Sequence, residues 1–507
     1  MAAFTAIVAL IGAVIVAAAI ISSLTERLRV PQVALFLVLG AALGPFGLGL
    51  VNFTLTSAAL GAVATLGLIL VLFTDAVSLD IAGLRRHLSL ALTVLGPGSL
   101  ITAVIVGAAG YWLFGLHPAE AAILGAALAS TDPVMMRGLL QHGDVPVSAR
   151  YALRVESGLN DAVLLPIVLI AMGFLHTPEH ATPLGRVIVN IFVLGPLAGL
   201  LVGFIAVTAM EKTRRRFGMR RDYESMYVLG VAFTAYAAGE AVHGSGFMAA
   251  FTAGMAIAIL DVELCDCFHD YGAATSEMCL LFAFVAFGTS LIWSGLTIIN
   301  VRTLAFAAVA LLARSAVLLV ALRWQRLKPA DRRIIVWFGP RGLSSLLLIL
   351  LPVFAGIDGA ERLFAPCALV VLLSVVGHGA MQAAWIKSDA TPVDITPVAT
   401  TPPVAIAPRS MHPAGTTVPS ETHASPTPTA TAETALVSSP EYVTIDEVNA
   451  LWAAREPVVI VDGRSETSYD ASDRTAAGAV RLEPDRSVAQ ANARKLPRDA
   501  WLIVYCA

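Results

Sequence analysis

Two short groups of polar residues interrupt long apolar stretches, and their side chains are of the kind that bind small cations. The first is residues 129–133 (ASTDP), and the second is residues 156–161 (ESGLND). A charge at the centre of a membrane helix costs about 2.5–3.5 kcal/mol on insertion scales, so such carboxylates need a function or a partner. Oxygen ligands from two neighbouring segments can surround a small hard cation. The sequence therefore predicts an oxygen-lined cation site built from these two segments.

The first polar group also predicts a break in its helix. Proline has no backbone N–H and disfavours the helical conformation of the residue before it, so the helix should be interrupted at Asp132 and Pro133. Backbone carbonyls near Thr131 would then be free to face a cavity. We expect Asp132 either to bind the cation or to cap the interrupted helix, where a carboxylate satisfies free N–H groups.

The second polar group places its residues on two neighbouring helical faces. A spacing of four puts Ser157 and Asp161 on one face, and Glu156 and Asn160 on the adjacent one. Asp161 lies in the middle of an apolar run, where desolvation lets a proton and a cation compete for one carboxylate. We therefore predict that Asp161 is the shared cation and proton site. The Ser157 hydroxyl, like that of Thr131, is either a further ligand or bonded back to its own backbone.

These residues resemble the paired signature of the NhaP-like, electroneutral branch of the cation:proton antiporter superfamily. The match consists of residues 131–133 (TDP) and 156–161 (ExxxND), which stand at the family's spacing in consecutive segments. The resemblance implies a sodium/proton antiporter with inverted repeats, crossing broken helices and a homodimeric assembly. An Asn-Asp pair in place of two acidic residues implies that one proton is exchanged for one cation.

Four charged or polar residues are predicted to support the site or extend it. Glu156 and Arg341 should form a buried ion pair, because a lone charge at membrane depth is costly, and the family pattern supports this pairing. Asn160 looks like a hydrogen-bonding support for Asp161. Arg314 resembles an arginine common at its place in the family and should make an interior contact.

Asp75 occupies the place of an acidic position in the family's Phe-Glu-Gly motif. In this chain the glutamate is shortened to aspartate and the glycine is replaced by alanine. We expect Asp75 to be either an additional cation ligand or a polar residue near the inner end of its span.

The composition is that of a polytopic membrane protein. The chain is 57% hydrophobic and only 14% charged, against about 25% charged in soluble proteins, and its mean hydropathy is +0.78. The net charge of −3 indicates no class of partner, and nothing points to nucleic acid. The five cysteines are scattered, so no disulfide framework is predicted, and no cofactor is expected.

One loop has residue types that could bind a metal. Residues 261–270 are dense in Asp, Glu, Cys and His. Because the Cys-x-Cys pair lacks a second matched pair, a solvated acidic loop is the favoured interpretation, and no metal beyond the transported cation is predicted.

The apolar runs predict an all-α membrane domain over residues 1–387, with about thirteen spanning helices. The predicted spans are residues 4–23, 32–50, 58–76, 88–114, 119–138, 151–174, 187–210, 225–241, 246–260, 275–293, 303–322, 332–354 and 362–386.

Lys and Arg in the loops predict the orientation. Basic residues follow the first span at Arg27 and Arg29 and recur in every second loop except residues 261–270, most densely in residues 212–221 and 323–333. Because cytoplasmic loops carry the excess of basic residues, the N-terminus should lie outside and the C-terminus in the cytoplasm of the inner (plasma) membrane. The absence of a basic residue before the first apolar run argues against a cleaved signal peptide.

Two interrupted helices predict internal symmetry. The fifth span is broken at Asp132 and Pro133, and the twelfth at residues 339–342 (GPRG). Breaks at corresponding positions of two halves indicate an inverted-repeat transporter with its site near the membrane midplane.

The composition changes after the last span. Residues 388–440 are rich in Thr, Pro, Ala and Ser and predict a disordered linker. Residues 441–507 are of α/β type, with a helix capped by Thr444 and strands at 457–461 and 501–505. This part resembles the start of a rhodanese domain, with Asp462-Gly-Arg and a cysteine at position 506, and the chain stops before the expected active-site loop. We expect an incomplete, inactive rhodanese-like segment.

The predicted function is therefore secondary antiport of a monovalent cation, Na⁺ first and Li⁺ or K⁺ as alternatives, against H⁺. A cation channel of the same fold could use the same carboxylates, and downhill cation flow without proton movement would identify it. A membrane-anchored sulfurtransferase is the third alternative, although so many spans with buried charges exceed what an anchor needs.

Overall fold

The computed structural model forms two compact units, Met1–Ala399 and Thr400–Ala507. In the first unit it describes residues 12, 32–51, 53–79, 81–140, 145–175, 183–217, 221–260, 282–325 and 327–388. In the second unit it describes residues 448, 451, 456–463, 476, 478–482, 490–491, 494, 496–497 and 500–505. The predicted first span, the acidic loop 261–270 and the linker 389–440 thus lie outside the described residues, apart from Gly12.

All regular secondary structure in the described part of the first unit is helical. The helices are α1 Gln32–Leu43, α2 Ala58–Val77, α3 Ile81–Arg86, α4 Leu88–Thr93, α5 Thr102–Phe114, α6 Pro118–Ala129, α7 Pro133–Leu140, α8 Val147–Gly173, α9 Leu184–Val189, α10 Gly195–Phe217, α11 Arg221–Ala241, α12 Gly246–Leu260, α13 Phe282–Thr297, α14 Val301–Ala321, α15 Pro329–Trp337, α16 Leu343–Phe354 and α17 Phe364–Ser388. Wider π-helical turns, Val94–Ile101 and Asn190–Leu194, join α4 to α5 and α9 to α10.

Among the described residues, six helices are long and apolar enough to cross a membrane. They are Ala58–Val77, Leu88–Phe114, Ser148–Gly173, Leu184–Arg214, Val301–Trp324 and Ala360–Met381. Shorter apolar helices are α1, α12, α13 and α16. The prediction of a multi-span helical protein is confirmed. Many predicted boundaries lie within four residues of the observed ones, whereas α1 ends at Leu43, seven residues before the predicted end of its span, and α10 ends at Phe217, seven residues after.

Two spans are interrupted, as predicted. Helix α6 ends at Ala129, and α7 begins at Pro133 after three residues without helical structure. Helix α15 ends at Trp337, and α16 begins at Leu343. Proline at the first position of α7 and glycine before α16 account for both restarts, since proline fits the first turn of a helix and the backbone at Gly342 is extended.

The long helix α8 lies at the centre of the helices that carry the polar groups. It packs against α6, α2 and α15, and α16 packs against both α6 and α2. Small residues permit close contact, as at Gly125, where an added Cβ would meet the backbone of Gly107 at 2.7 Å. Most buried side chains are apolar, and the buried polar ones include those at the two breaks and on α8.

The outer surface of α9 and α10 is also apolar. Large side chains on α10 and on the π-helical turn before it are half or more exposed, including Phe192, Leu197, Leu201 and Phe204. In a soluble protein such a surface would aggregate, whereas in a bilayer it faces acyl chains.

The second unit contains a three-stranded parallel sheet in the order β2-β1-β3. The strands are β1 Val458–Asp462, β2 Val480–Arg481 and β3 Trp501–Tyr505. The two strands predicted from sequence are therefore confirmed. The Tyr505 hydroxyl donates to Asp462 Oδ2 at 2.9 Å at the carboxyl ends of β1 and β3.

Candidate functional site

The two helix breaks touch each other through the main chain. The backbone N–H of Asp132 donates to the carbonyl of Pro340 at 3.0 Å. Since helical hydrogen bonding stops at both places, each break satisfies part of the other's backbone. The sequence predicted the two breaks separately, and the structure brings them together.

Asp132 caps both helices that restart at the crossing. Its Oδ1 accepts from the N–H of Val134 in α7 at 2.9 Å, and its Oδ2 accepts from the N–H of Leu343 in α16 at 2.7 Å. The carboxylate is buried, and the positive ends of two helix dipoles stabilise its charge. The structure therefore gives Asp132 the capping role that the sequence left open, at two helices instead of one.

Gly342 makes this approach possible. A Cβ at this position would collide with the Asp132 carboxylate. The residue is required for space and not for a positive φ angle, because its φ is −156°.

Asp161 lies on α8, fully buried, beside the crossing. Its Oδ1 accepts a hydrogen bond from the Ser130 hydroxyl. Its Oδ2 has no hydrogen-bond partner among the described residues. The Ser344 side chain and the Asp132 carboxylate lie close to Asp161. One oxygen of this carboxylate is thus held by the protein, and the other is available for a proton or a cation.

Asn160 connects α8 to the first break. Its Nδ2 donates to Thr131 Oγ1 at 2.7 Å and lies 3.5 Å from the Thr131 carbonyl oxygen. The amide oxygen of Asn160 is buried with no hydrogen-bond partner in the described part of the chain. Asn160 therefore holds the first helix break in place. The Thr131 carbonyl, which was predicted to be free, lies near the amide of Asn160.

Glu156 pairs with Arg314 and not with Arg341, so the predicted ion pair was wrong. Glu156 Oε1 accepts from Arg314 Nε, and Oε2 accepts from Nη2, which makes the pair bidentate. Arg314 Nη1 also donates to the carbonyl of Val336 at 3.1 Å. The reason is geometric: Arg314 on α14 reaches α8 beside the end of α15, and this is the interior contact that the sequence left unnamed.

Arg341 instead binds the end of α6. Its Nη1 donates to the carbonyl oxygens of Ala129 at 2.7 Å and Ser130 at 2.9 Å. Carbonyls at a helix C-terminus lack helical partners and attract a positive charge. Its backbone N–H donates to Ser374 Oγ at 2.6 Å, while Nε and Nη2 have no hydrogen-bond partner among the described residues.

Ser157 and Asp75 were also predicted as ligands, and the structure places both beside other residues of α8. The Ser157 hydroxyl lies 3.3 Å from the carbonyl of Arg154 on its own helix, which is the back-bonded alternative. Asp75 is half-buried near the end of α2, and its backbone carbonyl lies 3.7 Å from the place where a Cβ would stand on Gly158 of α8.

Sequence reasoning missed several residues that complete the site. Ser130 belongs to the first polar group, and its place next to Thr131 was the available signal. Ser344 follows the second break in the same way. Nothing in the sequence pattern indicated Ser374 or His378, whose Nδ1 lies 3.1 Å from Ser374 Oγ, because they come from a separate helix, α17.

Apolar spanning helices that enclose a buried carboxylate where two interrupted helices meet define a class of protein. This is the architecture of secondary ion transporters, in which broken helices carry the ion site within the membrane. The fold and site thus place the chain among membrane transporters.

The comparisons with known proteins agree with this class. The family model described as "Sodium/hydrogen exchanger, transmembrane" matches residues 13–387. The chain therefore belongs to the sodium/hydrogen exchanger family. This is a family of secondary transporters and not of enzymes, so the predicted class, a monovalent cation/proton antiporter in a membrane, is confirmed.

Some relatives are named as K⁺/H⁺ antiporters and another as a Na⁺/H⁺ antiporter. The chain is 26% identical over 396 residues to the K⁺/H⁺ antiporter NhaP of Alkalimonas amylolytica, covering 76% of this chain and 68% of that protein. It is 29% identical over 377 residues to the K⁺/H⁺ antiporter NhaP2 of Shewanella sp. strain MR-4, with coverages of 73% and 65%. It is 25% identical over 334 residues to the Na⁺/H⁺ antiporter NhaH of Halobacillus aidingensis, with coverages of 58% and 75%. The chain spans about two thirds of the length of the NhaP and NhaP2 proteins.

A solved structure has the same fold. The sodium/proton antiporter MjNhaP1 of Methanocaldococcus jannaschii aligns with a TM-score of 0.63 at 20% identity, over 76% of this chain and 98% of that one. The predicted fold class is thereby confirmed as a helical, multi-span membrane protein.

Proposed function

We propose that this chain exchanges one monovalent cation for one proton at Asp161. The observation that carries the proposal is the state of its carboxylate, which is fully buried with one oxygen bonded to Ser130 and the other without a partner among the described residues. A bare carboxylate in an apolar interior is penalised, so the site is favoured when a proton or a cation covers it. Exchange follows if the site can switch between the two sides of the membrane only when Asp161 carries a proton or a cation.

The charges at the crossing support electroneutral exchange. Three buried carboxylates, Asp132, Glu156 and Asp161, accompany two buried guanidinium groups, Arg314 and Arg341. Glu156 is matched by Arg314, and Asp132 is held by two helix N-termini near Arg341. Among these five groups the excess is one negative charge, which one proton or one monovalent cation on Asp161 would cancel. A second positive charge would leave the interior charged at a cost.

Na⁺ is the first candidate cation and K⁺ the second. The sequence signature resembles sodium/proton antiporters, whereas two of the relatives are named K⁺/H⁺ antiporters. Both ions prefer oxygen ligands, and the available ones are Asp161 Oδ2, the amide oxygen of Asn160 and the hydroxyl oxygens nearby. Asp132, Ser157, the Thr131 backbone and Asp75 are the further ligands proposed from the sequence, after local rearrangement. Asn160, Glu156, Arg341 and Arg314 are the supporting residues.

Three features of the assembly belong to the same proposal. The N-terminus lies outside and the C-terminus in the cytoplasm, as the basic loops indicate. The breaks at residues 130–132 and 338–342 lie at corresponding places of two inverted repeats, and they meet as such repeats require. A homodimer in the lipid bilayer is expected from the family resemblance.

The second unit is proposed to be rhodanese-like, on the basis of its parallel strands and the Asp462–Tyr505 contact at their carboxyl ends. Cys506 lies outside the described residues. A thiosulfate:cyanide sulfurtransferase assay on the full chain tests for catalysis, and we expect no thiocyanate to form.

The antiport proposal is tested with the purified chain in proteoliposomes that contain a pH dye. We expect Na⁺, Li⁺ or K⁺ gradients to drive proton movement, with the panel ranking the three ions. Asp161→Asn should abolish exchange, because a neutral amide holds neither proton nor cation at this site. Asp358→Asn makes the same chemical change on an exposed loop and should exchange normally. Exchange by the Asp161→Asn protein, or cation flow without counter-movement of protons, would contradict the proposal.

A further inference from the structure

Ser130 is the residue that holds the proposed ion-binding carboxylate in place. It is fully buried at the end of α6, where its extended backbone (φ −62°, ψ 139°) directs the side chain away from its own helix. Its hydroxyl donates to Asp161 Oδ1 on α8. Its carbonyl oxygen accepts from Arg341 Nη1 at 2.9 Å, so the residue is fixed from both sides.

This hydrogen bond makes the two oxygens of Asp161 unequal. Oδ1 is occupied by Ser130, whereas Oδ2 has no partner among the described residues. A hydroxyl that donates to a carboxylate favours its ionised form over its protonated form. The same bond also directs Oδ2 away from Ser130.

We propose that Ser130 is a positioning residue that holds Oδ1 of Asp161 and thereby presents Oδ2 to the incoming cation. This inference rests on the proposed function, since it assumes that exchange occurs at Asp161. The inference adds Ser130, which lies at the first helix break across from Asp161 on α8, to the site residues that were named from the sequence.

Other charged groups near Asp161 do not replace this role. Charged and titratable side chains on the surrounding segments include Asp75 on α2, Asp132 at the first break, Glu156 on α8, Arg314 on α14, Arg341 at the second break and His378 on α17. Further from the crossing, Glu120 lies on α6, Arg150 and Arg154 on α8, and Asp331, Arg332 and Arg333 on α15. A change at Ser130 that removes only the hydroxyl leaves each of them present. A shifted pH profile in such a variant would therefore be due to the lost hydrogen bond.

The test measures the pH dependence of Na⁺-driven proton movement in proteoliposomes made with the full chain. Ser130→Ala removes a hydrogen bond to a charged group, so the pH of half-maximal exchange should rise by roughly one to two units. The KM for Na⁺ below that pH should rise about tenfold or more, while the maximal rate at alkaline pH is retained. Ser130→Thr keeps the hydroxyl and should restore the wild-type profile.

A matched control removes a hydroxyl elsewhere. Thr208 on α10 bonds back to the Phe204 carbonyl at 2.8 Å on an exposed face, and Thr208→Ala should leave the profile unchanged. Ser130→Cys is close to serine in size and is a weak hydrogen-bond donor, so it should shift the pH profile by an intermediate amount. This variant still tests the role of the hydroxyl if the alanine variant does not assemble.

The outcomes separate this inference from the proposed function. A wild-type profile for Ser130→Ala, or equal shifts for Ser130→Ala and Ser130→Thr, would overturn the role of the hydroxyl while Asp161-dependent exchange stands. If the wild-type chain itself gives no exchange, the proposed function fails.

Discussion

Glu156 and Arg314 form a bidentate ion pair that joins α8 to α14 in the buried interior. Both side chains are almost completely shielded, with relative exposures of 2% and 3%. The pair neutralises two charges next to the helix crossing and positions α8, which carries Asn160 and Asp161.

Breaking this pair should destabilise the protein strongly. Glu156→Gln leaves the Arg314 charge buried and unpaired by a carboxylate, which costs about 3–5 kcal/mol. We expect a markedly lower melting temperature of the purified protein. Combining Glu156→Gln with Arg314→Met should cost less than the sum of the two single changes, because no uncompensated charge remains. Strict additivity would contradict the coupling.

A more exposed ion pair provides the comparison. Arg362 bonds Glu120, but its side chain is 58% exposed. Arg362→Ala should therefore lower the melting temperature less than Glu156→Gln does, since water can replace the lost partner.

Asp132 should contribute to stability as the cap of two helices. Asp132→Ala removes the acceptors for Val134 and Leu343, and each lost cap costs about 0.5–2 kcal/mol. Asp132→Asn retains one acceptor oxygen and should destabilise less. Thermal unfolding measures both. Asn300→Ala, which removes the single cap of α14, is the matched control, and a smaller effect of Asp132→Ala than of this control would contradict the double cap.

Gly342→Ala should disturb the crossing without adding a charge or a polar group. The new methyl would collide with the Asp132 carboxylate and force the two breaks apart, at a cost of about 1–3 kcal/mol. Exchange should fall by about tenfold or more, because a displacement of about 1 Å at a binding site is enough for large losses. Gly230→Ala on α11, where nothing lies within 4 Å of the added Cβ, should behave as wild type.

Exchange should be electroneutral and competitive. With one carboxylate shared by one proton and one cation, the apparent KM for the cation should rise by about a factor of ten for each pH unit below the range in which Asp161 loses its proton. The sign follows from competition, since a lower pH fills the site with protons. Dye measurements over a pH series test the slope.

The stoichiometry is measured separately by recording charge movement on a supported membrane. Proton flux reported by the dye should be accompanied by no sustained current. A sustained current driven by the cation gradient would show that unequal numbers of cations and protons move in opposite directions per cycle, and it would contradict one-for-one exchange.

Much of the fold could be predicted from the sequence because the membrane imposes simple rules. Apolar runs of sufficient length gave helices such as α2 and α14 at nearly the predicted residues, since backbone groups in a bilayer must be bonded within the helix. Pro133 and the glycines around Pro340 predicted both breaks for local steric reasons. In the second unit, β1 and β3 were predicted from short apolar runs.

The pairing of charges could not be predicted in the same way. A sequence shows that Glu156, Arg314 and Arg341 are each too costly to leave alone in a membrane, but three such residues allow more than one pairing. The choice depended on where α14 packs relative to α8. It also depended on the free carbonyls at the end of α6, which engage Arg341.

The sequence by itself determined that Asp132, Glu156 and Asp161 lie in apolar segments and that two of the helices break, because these features follow from residue type and spacing along one chain. Only the tertiary structure decided that Asp132 caps two helices and that Ser130 holds Asp161. It also decided that Arg314 is the partner of Glu156. These contacts join segments far apart in the chain, and their geometry is set by helix packing that local residue patterns do not specify.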